Sequence, residues 1–520
     1  MTAPLSLSHL GAAGFKDLMV LPPDEFYRSA SGRFKAGGRA VSYFGLPEEG
    51  SAPLNDSFAG PGLFEAPAKN AGAKKGGTRL ILILAFDSER RLEALSMVAN
   101  DSFRSLTPDF PQLHLFEREI AEQCGLKAEG HPWLKPVRYQ LKSGLPVPPG
   151  ITEFFKVRGR ETHEVAVGPV HAGLIEPGHF RFQCHGEMVF HLEIALGYQH
   201  RGIESRLIGG SGKLTSHYME TLAGDTTIGH VSAYCRAIEA LCGARIPPRA
   251  EVLRAIMLEL ERMANHTGDL GALAGDVAYL PTASFCGRLR GDILNMSALI
   301  CGNRFGRNMV IPGGTAFDLS PALIKELKLR LDAAFRDVRD AADLLWNTSS
   351  VMERFEGTGI VSKETALTLG LVGPAARASG VRRDVRHNFP VGIYNSKAVL
   401  SEGAPESGDV YARAYTRWLE IKRSYELVSG MLASLPAGPV FAAPGPMKAE
   451  SFVVSLEEGW RGEICHTVVT DSAGKFRHYK IKDPSFNNWQ GLAMALRDGQ
   501  ISDFPLCNKS FNLSYCGHDL

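Results

Sequence analysis

The stretch IPPRAEVLRAIMLELERMANHTGDLGALAGD, residues 246–276, contains the pattern of one long helix from Ala250 to Leu273. Its apolar side chains recur at i, i+3, i+4, i+7 and i+10, at Leu253, Ile256, Met257, Leu260 and Met263. Residues 323–351 repeat this spacing and predict a second long helix. Helices with such apolar faces bury them by packing on one another, so the pattern predicts a helical core like that of a bundle.

The chain on either side of these helices predicts an α+β fold in two parts. Leu80–Phe86 (LILILAF) reads as a buried strand, and a Gly- and Ala-rich insertion near 58–78 precedes it. We expect a small α/β domain at 1–150, a linker at 151–165 that follows the Pro-rich LPVPPG of Leu145–Gly150, and a mainly helical domain at 166–520. The tail from Ser451 alternates as strands and then ends in a helix and a loop.

Composition excludes several classes of function. The 57 basic and 56 acidic residues nearly cancel, so overall charge favours neither nucleic acid nor anionic lipid as a partner. Nine cysteines form no CxxC pair, which argues against zinc ribbons, thioredoxin chemistry and a local iron–sulfur motif. We expect no signal peptide and no membrane span, because the longest uncharged stretch, Leu427–Met447, is broken by prolines and glycines. These features predict a cytoplasmic protein.

Eight of the sixteen histidines lie between His163 and His230. Two interpretations compete: metal ligands, or hydrogen-bonding groups near a cleft. Metal-binding histidines on a strand are typically spaced HxH, and those on a helix HxxxH, whereas the gaps here match neither spacing. The spacing therefore favours hydrogen bonding over a metal site.

Two charged clusters are candidate site elements. Glu259, Arg262 and His266 fall on one face of the long helix, where an intrahelical salt bridge with a capping histidine is the simplest interpretation. A second cluster surrounds a glycine turn and could meet a buried anion, a carboxylate partner or solvent; it contains Arg377, Arg382, Arg383 and Arg386.

Several stretches together resemble a known family. The ordered motifs at 168–187, 197–204, 223–243, 246–276, 311–314, 373–386 and 461–489 resemble the large subunit of energy-converting (group 4) NiFe hydrogenases. They also resemble its relative in respiratory complex I, the forty-nine-kilodalton subunit. Residues 113–139 are similar to the signature of the thirty-kilodalton subunit of complex I. The resemblance implies that domains like these two complex I subunits are fused in one chain, as in the large subunit of formate-hydrogenlyase-type complexes.

The same resemblance implies that the metal ligands of the hydrogenases are missing. The family binds nickel and iron through two CxxC pairs, because soft thiolates bind and bridge these metals. Matching the motifs places Ala223, Thr226, Ser514 and Gly517 at the four ligand positions, with Cys516 one residue out of step. We therefore expect no NiFe centre and no hydrogenase activity.

Other family positions are better kept. Glu176 resembles the glutamate that passes protons to the metal site, and Arg377 resembles an arginine of the active-site pocket. Asp276 matches the family aspartate ten residues after His266, and both are proton-relay candidates. His179 is a loose counterpart of the quinone-contacting histidine of complex I. The remaining predicted lining residue is His230, while the family's quinone-contacting tyrosine corresponds to Gly224.

The resemblance implies a large subunit that passes electrons from a partner iron–sulfur cluster to a quinone or another acceptor; whether quinone or NAD(H) is used stays open. The implied partners are an iron–sulfur protein like the hydrogenase small subunit and the twenty-kilodalton subunit of complex I, a ferredoxin-like subunit and antiporter-like membrane subunits. We expect no cofactor bound by cysteines of this chain and peripheral attachment to the inner face of the membrane. Two alternatives are a non-catalytic structural subunit and a non-thiolate metal in the His-rich cavity.

Overall fold

A computed structural model describes residues 4–48, 77–138, 153–171, 175–210 and 214–520. The chain forms two units: Met1–Ser8 with Gly14–Glu153, and His9–Ala13 with Phe154–Leu520. Most of the predicted insertion at 58–78, and the Pro-rich stretch Leu145–Gly150, lie outside the described residues. The assignment of a complex I-like α/β domain to 1–150 and of a linker to 151–165 stays a prediction.

The first unit is built on an antiparallel sheet. Its strand order is β1-β5-β4-β3, and the predicted strand Leu80–Phe86 lies within β4, which is buried along its whole length. Helix α2 packs on β3, and α1 packs on β5. The elements of the N-terminal part are β1 (Leu5–Leu7), β2 (Ala13–Gly14), α1 (Pro23–Lys35), β3 (Arg39–Pro47), β4 (Thr78–Phe86), β5 (Arg91–Ala99), β6 (Ser102–Arg104), α2 (His114–Cys124) and β7 (Lys127–Glu129).

The second unit contains two further antiparallel sheets. One has the order β10-β9-β8, with strands β8 (Thr162–Val167), β9 (His179–His185) and β10 (Met188–Ala195). The predicted C-terminal strands are confirmed as β13 (Ser451–Gly459), β14 (Gly462–Thr470) and β15 (Phe476–Lys482). In the second sheet β14 lies between β13 and β15, and the short β2 completes the order β15-β14-β13-β2. A small hairpin joins β11 (Val310–Ile311) to β12 (Gly314–Thr315).

Helices make up the rest of the second unit. Four of them form the core, with α6 packed against α7 and α13, and α7 packed against α8. The helices are α3 (Ile203–Leu207), α4 (Thr215–Met219), α5 (Thr227–Cys242), α6 (Pro248–Asp276), α7 (Leu280–Cys301), α8 (Pro321–Trp346), α9 (Ser349–Phe355), α10 (Lys363–Leu369), α11 (Gly373–Ala378), α12 (Val385–Asn388), α13 (Val410–Ala433), α14 (Pro484–Ala495), α15 (Phe504–Phe511) and α16 (Tyr515–His518).

The predicted long helix is α6, and it is buried on nearly all sides. Its apolar stripe packs as expected, but charged side chains on its other faces are buried too, including Glu259, Arg262 and Asp269. Buried charges need partners, and α13 and β13 supply them. The predicted amphipathic helix is therefore a central helix, and its polar side chains contact polar groups of α13 and β13.

The second predicted helix, 323–351, is divided in the structure. Helix α8 ends at Trp346, and α9 begins at Ser349. Asn347 still bonds back to Asp343, but Thr348 adopts an extended conformation with φ −101° and ψ 107°, which ends the helical path. The apolar spacing continues across this break because both helices bury their apolar residues in the same core.

Candidate functional site

The short final helix α16 meets the segment that precedes β9. Ser514 caps this helix, because its Oγ accepts a hydrogen bond from the backbone N of Gly517 at 2.9 Å. The carboxylate of Glu176 accepts a hydrogen bond from the backbone N of Tyr515 at 3.3 Å. Burial, followed by the charge and hydrogen bond of Glu176, raises the pKa of the Cys516 thiol to about 11. A neutral thiol and a carboxylate therefore lie side by side.

Arg461 connects this region to the start of α5. Trp460 and Arg461 form the turn between β13 and β14. The guanidinium Nη1 donates to the carbonyl O of Gly224 at 2.8 Å and to Oγ1 of Thr226 at 3.1 Å. Its Nε donates to the carbonyl O of Asn512 at 2.6 Å, two residues before Ser514. One guanidinium thus bridges the two segments that carry the four family ligand positions.

Asp483 lies against α16. A Cβ atom built at Gly517 would fall 2.8 Å from Cγ and Oδ1 of Asp483, a distance that real Cβ atoms do not show. Asp483 caps α14 through the backbone N of Ser485 at 2.8 Å, and Oγ of Ser485 accepts from the backbone N of Ser514 at 2.9 Å. The carboxylate therefore takes the space that a side chain at position 517 would need.

His230 stands at the centre of a buried chain of hydrogen bonds. Its Nε2 lies 3.0 Å from Oδ2 of Asp483, and its Nδ1 lies 3.1 Å from Nε2 of His466. The other nitrogen of His466 lies 2.8 Å from the hydroxyl of Tyr479. Burial, followed by the charge of His230, lowers the pKa of His466 well below its usual value, which keeps this ring neutral. Burial alone would raise the pKa of Asp483, but the bond from His230 reverses the shift and lowers it.

The neutral form of His466 is consistent with one hydrogen-bond direction through this chain. Tyr479 donates its hydroxyl proton to His466, His466 donates to His230, and His230 donates to the Asp483 carboxylate. Each ring nitrogen on this line then has a hydrogen-bond partner. The predicted cavity residue His230 is therefore fully buried, and it contacts Asp483 rather than open space.

Arg377 and His266 meet at a shared carboxylate, Glu420 of α13. Arg377 donates to Oε1 of Glu420 from Nε at 2.9 Å and from Nη2 at 2.6 Å. Nε2 of His266 lies 2.8 Å from Oε2 of the same carboxylate. Burial would raise the pKa of Glu420, but Arg377 and His266 outweigh it and hold this pKa well below its usual range. His266 does not cap a helix; it donates to Glu420.

The predicted contact between Glu259 and Arg262 is present, with Nε to Oε2 at 3.3 Å. It is a small part of a larger cluster. Glu259 also accepts from Nη1 of Arg386 at 2.9 Å, from the Tyr394 hydroxyl at 2.6 Å and from Oγ of Ser424 at 2.6 Å. Arg386 in turn pairs with Asp384 at 2.7 Å. Of the interpretations of the arginine cluster, carboxylate partners are confirmed for Arg377 and Arg386.

A cavity of about 260 Å³ borders this cluster. Its wall includes the ionic side chains of Arg377, Asp384 and Glu420, together with Thr416 from the same face of α13 as Glu420. Arg382 lies at the exposed rim. Such a cavity has room for several water molecules beside buried charges.

The remaining predicted residues lie elsewhere. His179 is the first residue of β9 and follows the segment that carries Glu176. Its Nδ1 lies 3.1 Å from the carbonyl O of Gly168. Asp276 is exposed at the end of α6 and forms no hydrogen bond or ion pair in the described part of the chain. Arg377 and His266 therefore share one partner, Glu176 contacts α16, and Asp276 lies outside both clusters. The functional roles of these residues stay predictions.

Comparisons with known proteins identify the family. A family model described as the respiratory-chain NADH dehydrogenase 49 Kd subunit matches residues 276–451. The carbon monoxide-induced hydrogenase of Rhodospirillum rubrum is 31% identical over 352 residues, which cover 68% of this chain and 97% of that protein. The chain belongs to the family of the respiratory-chain NADH dehydrogenase 49 Kd subunit, which is related to hydrogenase large subunits.

A second sequence relative and one solved structure are also similar to this chain. Formate hydrogenlyase subunit 5 of Escherichia coli is 28% identical over 436 residues, covering 79% of this chain and 76% of that protein. A chain of the archaeal membrane-bound sulfane sulfur reductase, a respiratory membrane complex, superposes with a TM-score of 0.65 at 21% identity, covering 69% of this chain and 99% of that one. The second likeness confirms the α+β fold.

The residues present do not fit the NiFe centre of the hydrogenase members. Ala223 and Gly517 have no donor atom in their side chains, and the Asp483 carboxylate takes the space beside Gly517. Thr226 Oγ1 is hydrogen-bonded to Arg461, and Ser514 Oγ is hydrogen-bonded to Gly517 N. Among the described residues, no group of three or more His, Cys, Asp or Glu side chains could hold a metal ion.

Sequence reasoning missed several members of the site. Asp483, His466 and Glu420 lie 253, 236 and 154 residues from the partners that define their roles. Arg461 follows an ordinary hairpin sequence and carries no spacing signal. An acidic residue in the middle of an apolar pattern, such as Glu420 within α13, is the signal that could have pointed to a buried charge.

In the described part of the chain, no helix is long and apolar enough to span a membrane.

Proposed function

We propose that this chain is the large subunit of a membrane-attached oxidoreductase complex that passes electrons to a quinone or another acceptor without a NiFe centre. An iron–sulfur cluster on a small-subunit-like partner supplies the electrons, because the cysteines of this chain form no cluster-binding motif. Ferredoxin-like and antiporter-like membrane subunits complete the complex. The relatives of this chain include a hydrogenase, a formate hydrogenlyase subunit and a subunit of a respiratory membrane complex, and they support this proposal.

One observation carries the proposal: the region of the missing ligands is filled by organised polar groups. Arg461 holds the backbone at Gly224 and the side chain of Thr226, and Asp483 lies against Gly517. A subunit that had lost all chemistry here could fill the space with apolar side chains at lower energetic cost, because buried polar groups are costly unless they are paired. Their retention favours a site that handles charge.

Residues of this chain have two tasks in the proposed reaction. Glu176, beside the neutral Cys516 thiol, is the group that transfers protons to the reduced acceptor. Arg461 places a fixed positive charge beside the Thr226 hydroxyl, where it favours negative charge developing on the acceptor. His266, with Glu420, and Asp276 are the further relay candidates, and His179 is the candidate contact for a quinone headgroup.

Substitutions in the purified, assembled complex test this proposal. Glu176→Ala should lower the rate of quinone reduction by dithionite-reduced viologen by about a hundredfold or more, the scale of a lost general acid–base group. Asp276→Ala tests the second relay candidate in the same assay. Glu353→Ala, an exposed change on α9, is the matched control and should leave the rate unchanged.

The outcomes separate the alternatives. Full activity in both Glu176→Ala and Asp276→Ala would overturn the relay. If the wild-type complex reduced neither a quinone analogue nor a sulfane sulfur compound, the non-catalytic structural subunit would be the better description. Subunit composition, measured by size-exclusion chromatography of each variant, ensures that lost activity does not reflect lost assembly.

A further inference from the structure

The buried charges around Glu420 and Glu259 form one connected network. Arg262 links Glu259 to Glu420 at 3.3 and 3.4 Å. Arg377 links Glu420 to Glu458 at 2.6 and 2.8 Å. Arg386 joins Glu259 to Asp384 at 2.9 and 2.7 Å. The side chains of all seven residues are at most 8% exposed.

The charges in this network do not balance. In the described part of the chain it holds four carboxylates, of Glu259, Asp384, Glu420 and Glu458, and three guanidiniums, of Arg262, Arg377 and Arg386. Burial lowers the pKa of His266, so this ring adds no compensating positive charge. An uncompensated buried carboxylate is costly, and binding a proton removes that cost.

Geometry selects Glu458 as the carboxyl that takes the proton. Glu259 accepts from two guanidiniums and two hydroxyls, and Glu420 accepts from both Arg377 and His266. Glu458 accepts one bond from Arg377 at 2.8 Å and one from the backbone N of Val385 at 2.9 Å. It shares Nη1 of Arg377 with Asp384, which lies 3.5 Å away from that nitrogen.

The other charged groups near Glu458 do not offset this imbalance. Its cross-strand neighbour Glu463 is paired with Lys482 at 2.9 Å. The adjacent Glu457 is paired with Arg236 at 3.0 Å. Tyr394 is neutral, because burial raises its pKa well above the usual value. Burial, followed by the Asp384 charge, raises the pKa of Glu458 itself to about 7.

The cavity of about 260 Å³ connects this network to solvent. Glu420, Asp384 and Arg377 line its inner wall, and the exposed Glu406 and Arg382 line its rim. Thr416 also lines it, is 3% exposed, and its Oγ1 makes no hydrogen bond with the described residues. An unpartnered buried hydroxyl at the wall of a polar cavity indicates that water is its partner.

We propose that Glu458 and its arginine–carboxylate network form a proton-binding site that exchanges one proton with water in the adjoining cavity. The site requires neither a metal nor the redox acceptor, so it stands or falls independently of the proposed electron transfer. Its occupancy changes the charge of the network three residues before Arg461, on the strand that leads to the missing-ligand region.

Infrared difference spectroscopy of the full chain labelled with ¹³C at the glutamate carboxyl carbons tests this site. Wild type should show the carbonyl stretch of a protonated glutamate that disappears with a midpoint near pH 7. Burial also raises the pKa of Glu261, to about 8, so Glu261 contributes to the protonated-glutamate signal too. Glu458→Gln should therefore remove the component with a midpoint near pH 7, while Glu353→Gln should leave that component in place. A glutamate signal with no component that titrates near pH 7, or a component near pH 7 that is unchanged in Glu458→Gln, would overturn the proposal.

A second variant keeps the test independent of Glu458 itself. Glu420→Gln removes one negative charge, leaving three carboxylates and three guanidiniums, so Glu458 should ionise at lower pH and the band near pH 7 should be lost. An unchanged midpoint in Glu420→Gln would contradict the charge-balance argument. Circular dichroism of each variant checks that the helices are retained.

Discussion

Glu420 shows how single residues connect distant parts of this chain. Its two carboxylate oxygens serve Arg377, 43 residues before it, and His266, 154 residues before it. Without this carboxylate, Nε and Nη2 of Arg377 and Nε2 of His266 would lose their acceptor. Individual buried ion pairs of this kind are costly to break, because the remaining partner stays buried with its charge.

Arg377→Ala should therefore be strongly destabilising. It leaves Glu420 and Glu458 without their main guanidinium, and the free energy of unfolding should fall by about 3 to 5 kcal/mol. Arg339→Ala, which removes an exposed pair with Asp340, should change it by less than about 1 kcal/mol. Urea unfolding followed by tryptophan fluorescence measures both, and equal effects would contradict the role given to Arg377.

The raised pKa of Glu458 gives stability a specific pH dependence. Because the folded state holds this proton up to about pH 7 while the unfolded chain releases it near 4.5, the folded state loses stability as pH rises through this window. The loss is on the order of 3 kcal/mol. Glu458→Gln should remove this part of the pH dependence, as measured by urea unfolding at several pH values. If the free energy of unfolding of wild type rose with pH over this window, and that of Glu458→Gln changed in the same way, the assignment of the raised pKa to Glu458 would be contradicted.

Gly517 allows a test of how tightly Asp483 fills the missing-ligand region. Gly517→Ala forces a methyl group against the Asp483 carboxylate, and overpacking of this kind costs about 1 to 3 kcal/mol of unfolding free energy. Gly287→Ala, at an exposed helical position with open space around it, should stabilise by about 0.5 to 1 kcal/mol. Thermal unfolding of the two variants compares them; a stabilising Gly517→Ala would show that Asp483 does not occupy this space.

At this scale the sequence predicts residue pairs on one helix and little more. Glu259 and Arg262 are three residues apart, so their contact follows from helical geometry. The contacts of Asp483 with His230 and of Glu420 with His266 depend on how sheets and helices pack, and no local spacing encodes them. For the same reason Asp276 and Arg377, chosen by resemblance, fall in different environments.

At the scale of elements, the turn between β13 and β14 sets the position of Arg461. The backbone of this turn packs directly on the start of α11, where a Cβ at Gly373 would lie 2.1 Å from the carbonyl O of Arg461. Gly462 is on the other side of the turn, and a Cβ atom built there would lie 2.7 Å from Cα of Gly373. Two glycines therefore let a hairpin and a helix approach closely enough to hold the guanidinium at Thr226.

Gly373→Ala should disrupt this approach. Its φ of +69° strains any other residue, and the close contact adds a second cost. Gly357 is the matched control, with φ +73° and open space around it. Denaturant unfolding should show a lower free energy of unfolding for both alanine variants, and the loss should be about 2 kcal/mol larger for Gly373→Ala. Equal losses would mean that the backbone contact contributes nothing beyond the strained φ.

Elements themselves were largely predictable. The apolar spacing of α6 and the alternation of β13, β14 and β15 determine the type of each element, and the structure confirms them. The break between α8 and α9 was not predictable, because the apolar spacing runs through Thr348 without interruption. The burial of charged residues on α6 also required knowledge of α13 and β13.

At the scale of the whole molecule, the chain keeps the architecture of its relatives, while the positions that the resemblance matches to metal ligands hold Ala223, Thr226, Ser514 and Gly517. The fold matches a respiratory complex subunit across 69% of this chain. The order of motifs predicted this family from sequence, since the motifs are spread over most of the chain. The motifs do not encode the substrate in the same way.

Metal content and hydrogen evolution of the purified, assembled complex, measured on the same sample, decide whether this chain acts without a NiFe centre. We predict no nickel in stoichiometric amount with this chain, no hydrogen from reduced viologen, and continued viologen oxidation when a quinone or sulfane sulfur acceptor is present. Stoichiometric nickel together with hydrogen evolution would contradict this and would require ligands other than those at positions 223, 226, 514 and 517.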